Sequence, residues 1–317
     1  MPLAFAPLPN PANCTGAPRR VGVEIEFSGL GEQAACNVLT RTLGGRAHQI
    51  DSVKWLVENS EIGELQVYLD VFLRDAKKSP IRDVVLEAGR GVVPVEVVSR
   101  PLDRDGLIAL DRARAALCQA GALGSGAGAL NGFGVHFNIE ARGDSVGDIF
   151  PTLLAFALCE PWLRLHNRIN VTRRLLPWTD AYPYGLLDGL VALWPDPDMT
   201  RLIDTYLAHA PSRNYGLDML PLFAHIDRDR VMRKMGQAQA VRPTFHFRLP
   251  DSLIDDPDWS LSQGWDQWRL IERIADTPGL NDALCVAWRG NRAESALTRP
   301  AWAEVAGGIL ADHGVRI

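Results

Sequence analysis

The sequence predicts an α+β protein in which helices pack on one face of a mostly antiparallel, twisted sheet. Several short segments alternate polar and apolar residues, as half-buried strands do. Segments with helical spacing of apolar residues separate them, but without the regular strand–helix alternation of parallel α/β proteins. No internal repeat or low-complexity tail is visible in the 317 residues. We therefore expect one α+β domain at residues 19–317, after an irregular lead-in at 1–18.

The predicted elements follow one another along the chain after the Pro- and Gly-containing lead-in. Strands are predicted from polar–apolar alternation and β-branched runs at 19–28, in up to three runs within 46–70, and at 92–99, 133–140 and 243–250. Helices are predicted from apolar spacing at 32–43, 103–120, 147–168 and 200–209, and from about 260 onward. The Pro- and Trp-rich stretch 177–198 is predicted to be a long irregular loop.

Composition excludes several classes of function. The net charge is -5 and no run of like charges is present, so the chain lacks the basic surface expected of a nucleic-acid-binding protein. Five scattered cysteines without a CxxC pair argue against a disulfide framework or a zinc knuckle. The sequence shows no signal-peptide pattern and no stretch of roughly 18 apolar residues. We expect a cytoplasmic protein with reduced thiols and no membrane or nucleic-acid partner.

The first predicted strand places two carboxylates side by side. Because side chains alternate across a strand, Val23, Ile25 and Phe27 share one face, and Glu24 and Glu26 share the other. Residues two apart on a strand are roughly 6.5 to 7 Å apart, so both carboxylates can reach one divalent cation or two neighbouring ones. The alternative is a solvated outer face, which is common for a single Glu-x-Glu.

Other predicted strands repeat this arrangement. Opposite their apolar faces they carry side chains that bind metal ions or phosphate: Glu64 and Asp70, then Glu96, then His136, Asn138 and Glu140, and finally His246 and Arg248. These polar faces are rich in Glu, His and Asp and contain no lysine, which favours a shared metal site over a plain solvated face. Singly, each residue leaves an alternative open. His136 fits a hydrogen-bonded core histidine, Asp70 a turn, and Arg248 an ion pair with Asp251 or Asp255 as well as a phosphate clamp.

Four motifs in this order and spacing resemble the amidoligase family: VGVEIEF, VVPVEVVSRPL, AGALGSGAGALNGFGVHFNIE and FHFRLPDS, from about Arg19 to Ser252. The resemblance implies a fold similar to the catalytic domain of glutamine synthetases and glutamate-cysteine ligases, with ATP and Mg²⁺, or Mn²⁺, bound on an antiparallel sheet. It also implies roles for individual residues. Glu24, Glu26 and Glu96 resemble the metal carboxylates, His136 and Asn138 the H-x-N residues near metal and nucleotide, Arg248 the phosphate-binding arginine, and Arg213 and Asp218 the R-Y-x-x-L-N segment.

Two positions depart from the family pattern. The late strand usually supplies a further metal carboxylate, where this chain has His246. An imidazole there either binds a cation, with a bias toward manganese or zinc over magnesium, or leaves a second metal weakly held. Asp218 stands where the family tends to have asparagine.

The resemblance implies an ATP-dependent ligase that joins a small-molecule or peptide carboxylate to an amine through an acyl phosphate. Arg248 would stabilise the transferred phosphoryl group. Asp70 or Glu64 is a candidate base for the amine, and Arg100, Arg173, Arg174 or Arg213 a candidate for binding the substrate carboxylate. Two alternatives stay open: a metal-dependent hydrolase, and a catalytically silent ligand-binding relative of the same fold.

Overall fold

Within the part of the chain that the structure describes, eight strands pair in one antiparallel sheet, which is accompanied by helices. The computed structural model describes residues 4–69, 94–127, 132–166, 179–236, 240–293 and 298–315. The strands are β1 Val21–Phe27, β2 Arg46–Gln49, β3 Lys54–Ser60, β4 Gly63–Leu69, β5 Val95–Ser99, β6 Val135–Glu140, β7 Leu217–Asp218 and β8 Thr244–Phe247. Their order across the sheet is β2-β3-β4-β5-β1-β6-β8-β7, and every neighbouring pair is antiparallel.

Ten helices lie within the described residues. They are α1 Glu32–Leu43, α2 Arg104–Gln119, α3 Val146–His166, α4 Tyr184–Leu193, α5 Met199–His209, α6 Leu220–Ile226, α7 Arg228–Met235, α8 Leu261–Asp276, α9 Leu280–Ala293 and α10 Arg299–Asp312. The prediction of an α+β protein with a mostly antiparallel sheet is therefore confirmed.

Most of the predicted elements are present, but the predicted loop at 177–198 is wrong. Helix α4 lies inside it and buries its apolar residues. The Pro and Trp residues of this stretch favoured a loop in the sequence. In the structure a Cβ added at Gly189 would lie 2.5 Å from Thr205 Cγ2, so this glycine lets α4 approach α5 closely. The short strand β7 and the helices α6 and α7 were not predicted.

The apolar face of the sheet packs against helices. In β1, Val21, Val23, Ile25 and Phe27 are buried, as the alternation predicts. Helix α1 contacts β2, β3 and β4, whereas α8 contacts β6. The ring of Trp268 on α8 packs against Phe245 and Phe247 of β8, with centroids 5.2 and 5.5 Å apart. The polar residues of β1, β5, β6 and β8 lie on the opposite face of the sheet.

The first strand and the lead-in are anchored to α8. Arg19 forms a two-pronged ion pair with Glu272, with N–O distances of 3.0 and 2.7 Å, and both side chains are buried. Trp268 Nε1 also donates to Glu272 Oε1, at 2.8 Å, so the buried carboxylate has three donors. Trp265 Nε1 donates to the carbonyl oxygen of Ala6. These contacts hold the start of β1 in a fixed position against the helical layer.

Helix α3 is the longest helix among the described residues. Its 21 residues are long and apolar enough to cross a membrane by length and composition, with a mean hydropathy of 1.3 over the best window. The sequence-based expectation that no segment is long and apolar enough is therefore wrong for α3. In the structure 78% of that window is buried inside the protein, as in the core helix of a globular protein.

We predict that Gly264→Ala destabilises the fold and that Gly290→Ala does not. A Cβ at Gly264 in α8 would lie 2.7 Å from Phe137 Cε2 on β6, inside the core. Overpacking there should cost about 1 to 3 kcal/mol, more than the roughly 1 kcal/mol gained by replacing a helical glycine. At Gly290 in α9 nothing lies within 4 Å, so only the gain applies. Urea unfolding of both variants measures the difference, and equal effects would contradict this close packing.

Candidate metal centre

Strand register brings the predicted site residues onto one face of the sheet. Directly opposed residues of an antiparallel pair carry their side chains on the same face, with Cα atoms about 4.5 to 5.5 Å apart. The opposed pairs are Glu26 with Glu96, Glu24 with His136, Asn138 with His246, and Asp218 with His246. The five predicted metal ligands therefore come from four neighbouring strands, β5, β1, β6 and β8.

Glu24 lies at the centre of this group and accepts hydrogen bonds on both carboxylate oxygens. His136 Nδ1 lies 2.9 Å from Oε2, and Asn138 Nδ2 donates to Oε1 at 2.8 Å. Burial alone would raise the pKa of Glu24. The hydrogen bond from His136, the nearby imidazole of His246 and the bond from Asn138 outweigh it and hold the pKa well below the ordinary value. The carboxylate is therefore ionised although its side chain is only 12% exposed.

His136 lies between two carboxylates. Its Nδ1 faces Glu24 and its Nε2 lies 3.5 Å from Glu26 Oε1. An ionised Glu24 can only accept, so Nδ1 is the donor in that contact. A neutral His136 then turns the lone pair of Nε2 toward Glu26. That arrangement is repulsive unless a proton or a metal ion lies between the two groups.

His246 is positioned by Asn138. Because the Asn138 amide nitrogen donates to Glu24, its Oδ1 faces His246 Nδ1 at 2.7 Å, and Nδ1 is assigned as the donor. This tautomer leaves the lone pair on Nε2. Burial lowers the pKa of His246 well below its ordinary value, and the nearby His136, Arg248 and Arg213 lower it further, while Glu24 opposes the shift. A buried neutral imidazole with a fixed tautomer is suited to metal binding.

Two groups of potential ligand atoms result, and they share His136. Glu24, His136 and His246 form one, and Glu26, Glu96 and His136 form the other. Within each group the ligand atoms lie within 4.8 Å of one another. The first group is rich in nitrogen and the second in carboxylate oxygen. A neutral imidazole has one lone pair, so His136 can serve only one group at a time.

Arginines lie at the β8 end of the site. Arg248 Nη1 donates to the main-chain oxygen of Arg213 at 2.5 Å, and Arg213 Nε donates to Asp218 Oδ2 at 3.2 Å. Asp218 is fully buried, and its Oδ1 accepts from the backbone N–H of Leu220. Burial raises the pKa of Asp218, although Arg213, Leu220 and Arg248 oppose the shift. The predicted phosphate-binding residues therefore lie beside the histidine end of the metal site.

The candidate bases are less well placed. Glu64 lies on β4, with β5 between it and β1, and forms an ion pair with Arg100. Asp70, like Arg173 and Arg174, lies outside the described residues. Both ends of the Asn138 side chain bind other site residues, so in this structure Asn138 positions Glu24 and His246. Its predicted contact with a nucleotide stays a prediction.

Sequence reasoning missed Arg242. Its Nη1 lies 3.2 Å from Glu24 Oε1 and 3.3 Å from Asn138 Oδ1. Arg242 precedes β8 by two residues, with Pro243 between Arg242 and the first strand residue, so strand alternation does not place it. Only the packing of the chain segment before β8 brings it to Glu24.

Comparison with known proteins identifies a family for this chain. Residues 17–270 match the model of a family described as "Putative amidoligase enzyme". The chain belongs to this amidoligase family. No curated protein and no solved structure matches the chain.

The residues of this amidoligase-family protein fit a divalent cation. Three carboxylates converge with two imidazoles, and His136 Nε2 lies 3.5 Å from Glu26 Oε1. Carboxylate oxygens suit Mg²⁺, whereas the two imidazoles beside Glu24 suit Mn²⁺ or Zn²⁺ better.

We predict that Glu24→Gln and Glu26→Gln separate stability from metal binding. Without metal, Glu24→Gln should lose about 1 to 2 kcal/mol, because hydrogen bonds to an ionised group are weakened. Glu26→Gln should be neutral or stabilising, since it removes a charge opposite Glu96. Both variants should show a smaller rise in melting temperature with Mg²⁺ or Mn²⁺ than the wild type.

Glu61→Gln, which alters an exposed residue, is the control. Equal metal-induced shifts in all four proteins would rule out the metal assignment.

The resemblance to the family suggests asparagine in place of Asp218. For the variant Asp218→Asn we predict a change in thermal stability that depends on pH. A raised folded-state pKa means that the wild type loses stability as pH rises through the carboxyl range, whereas an asparagine side chain cannot ionise. The melting temperature of Asp218→Asn should therefore exceed that of the wild type by more at about pH 7 than at about pH 4.

Asp227→Asn provides a control of opposite sign. The backbone N–H and side chain of Arg230 lower the pKa of Asp227, so this aspartate stabilises the fold above its ordinary pKa and loses that effect as pH falls. The variant should be less stable than the wild type at neutral pH, with a difference that shrinks in acid. A pH-independent difference for Asp218→Asn would show that Asp218 does not titrate in this range.

Proposed function

We propose that this protein joins a carboxylate to an amine at the expense of ATP, through an acyl phosphate. Membership of the amidoligase family supports a ligase. The observation that carries the finer proposal is the pair of Glu/His groups that share His136, with Arg213 and Arg248 beside them. Such a site combines places for divalent cations with guanidinium groups for phosphate, which phosphoryl transfer requires.

The proposed reaction has two steps. In the first, an oxygen of the substrate carboxylate attacks the γ-phosphorus of ATP, the bond to the bridging oxygen breaks, and ADP leaves. In the second, the amine attacks the acyl carbon, inorganic phosphate leaves with its electron pair, and the nitrogen loses a proton. The sum is one amide, one ADP and one phosphate.

Each residue has a role that follows from its position. Glu24, Glu26 and Glu96, with His136 and His246, would hold the cations, of which Mg²⁺ is proposed for the carboxylate-rich group. The planar guanidinium of Arg248 matches phosphate oxygens and would stabilise charge on the transferred group, with Arg213 beside it. Glu64 is a candidate base, but it pairs with Arg100, and β5 separates its strand from β1.

We also propose that the sheet corresponds to the catalytic sheet of glutamine synthetases and glutamate-cysteine ligases. An antiparallel sheet with helices behind it and carboxylates in front supports this likeness. The acid is proposed to be a small molecule or the terminus of a peptide.

An acyl phosphate can be trapped without knowing the natural amine. We expect the protein, given ATP, Mg²⁺ or Mn²⁺ and hydroxylamine, to form a hydroxamate from some member of a panel of amino acids, dicarboxylates and short peptides. Hydroxamate and phosphate should appear in equal amounts. Arg248→Gln should slow the reaction roughly a hundredfold or more, by analogy with the loss of a charge-stabilising donor. Arg292→Gln, which lies on α9 and pairs with Asp188, should not.

Other outcomes would favour the two alternatives. Cleavage of amide substrates with metal but without ATP would identify a hydrolase. Nucleotide binding without acid-dependent phosphate release across the whole panel would favour a silent relative.

A further inference from the structure

The environment of Arg242 assigns it a role that its position in the sequence does not suggest. Its guanidinium lies against the largely buried carboxylate at the centre of the site, with Nη1 3.2 Å from Glu24 Oε1. The same nitrogen lies 3.3 Å from Asn138 Oδ1. The Arg242 side chain is 48% exposed, whereas that of Glu24 is 12% exposed. Arg242 thus covers Glu24 from the solvent side.

The main chain of Arg242 is held while its side chain is long enough to move. Its backbone N–H donates to the carbonyl oxygen of Pro221 in α6, at 3.2 Å. The strand β8 begins two residues later, so the Cα position is fixed from both sides. The half-exposed guanidinium reaches Glu24 through a flexible stem, and water can replace its contacts when it leaves.

Arg242 and a divalent cation require the same carboxylate. Glu24 Oε1 already accepts hydrogen bonds from Asn138 and Arg242, and Oε2 lies against His136. A cation bound by Glu24, His136 and His246 would lie close to the guanidinium, and like charges at that distance repel strongly in a partly buried site. The two positive groups therefore exclude each other near Glu24.

We propose that Arg242 is the resident counter-cation of Glu24 and competes with a divalent cation for the nitrogen-rich group Glu24, His136 and His246. Arg242 thereby sets the metal affinity of this group and leaves the carboxylate-rich group, Glu26 and Glu96, as the tighter site for a cation. When a cation takes Glu24, the guanidinium is released at the edge of the site, where it can meet an anionic substrate group. This inference rests on the metal assignment in the proposed function.

The test is a titration with Mn²⁺ alone, followed by the loss of the electron paramagnetic resonance signal of the free ion. Arg242→Gln should bind Mn²⁺ on the order of tenfold more tightly at one site, because a neighbouring positive charge is gone. Arg242→Lys keeps that charge and should stay near the wild-type affinity. Arg112→Gln is the matched control, since this half-exposed arginine pairs with Glu61. It should leave Mn²⁺ binding unchanged.

A second background tests whether Arg242 acts through Glu24. In Glu24→Gln, the further change Arg242→Gln should give no gain in Mn²⁺ affinity. Circular dichroism checks that every variant is folded. A gain confined to Arg242→Gln and abolished by Glu24→Gln supports the competition.

Three results would overturn it. Weaker or unchanged Mn²⁺ binding in Arg242→Gln would show that the arginine supports the site or is irrelevant to it. An equal gain in Arg242→Lys would show that charge is not the cause. If neither the wild type nor Arg242→Gln binds Mn²⁺, the inference falls with the metal assignment, while hydroxamate formation from ATP still decides separately whether the protein is a ligase.

Discussion

The pairing of β1 with β5 on one side and β6 on the other is the constraint on which the whole site depends. Because side chains alternate with a period of two, one register sets both the apolar packing of Ile25 and the position of Glu24. A slip of one residue would turn both glutamates of β1 into the helical layer. The same register therefore places the core residues on one face of the sheet and the candidate site residues on the other. Packing of the apolar face stabilises the positions of the site residues on the polar face.

The buried carboxylate of Glu24 is compensated by the protein itself. An isolated ionised group in this position would be costly, but His136, Asn138 and Arg242 each supply a donor. These donors stabilise the ionised Glu24 carboxylate within the fold. Under the proposed metal binding, a cation at Glu24 would have to replace some of these hydrogen bonds.

Not every polar group at this end of the sheet is stabilising. Asp218 is fully buried, and burial raises its pKa, so ionising this carboxyl is less favourable in the folded protein than in water. His246 is held neutral by burial. Groups whose pKa is shifted by their surroundings are concentrated at functional sites. Asp218 and His246 lie beside Arg213 and Arg248, the two arginines to which the proposed function gives phosphate binding.

The sequence by itself determined the strand faces and most helices, because alternation and helical spacing are local properties. Glu24 and Glu26 had to share a face, and α1 has the bounds that its apolar spacing predicts. The order of strands is set by long-range pairing. Only the tertiary structure therefore decided which candidate metal ligands are neighbours and how they divide into two groups that share His136. It alone also decided that Gly189 belongs to a helix contact and that Arg242, outside any strand, reaches Glu24. Such contacts depend on how segments distant in the sequence pack together, and the local spacing of residues does not specify that packing.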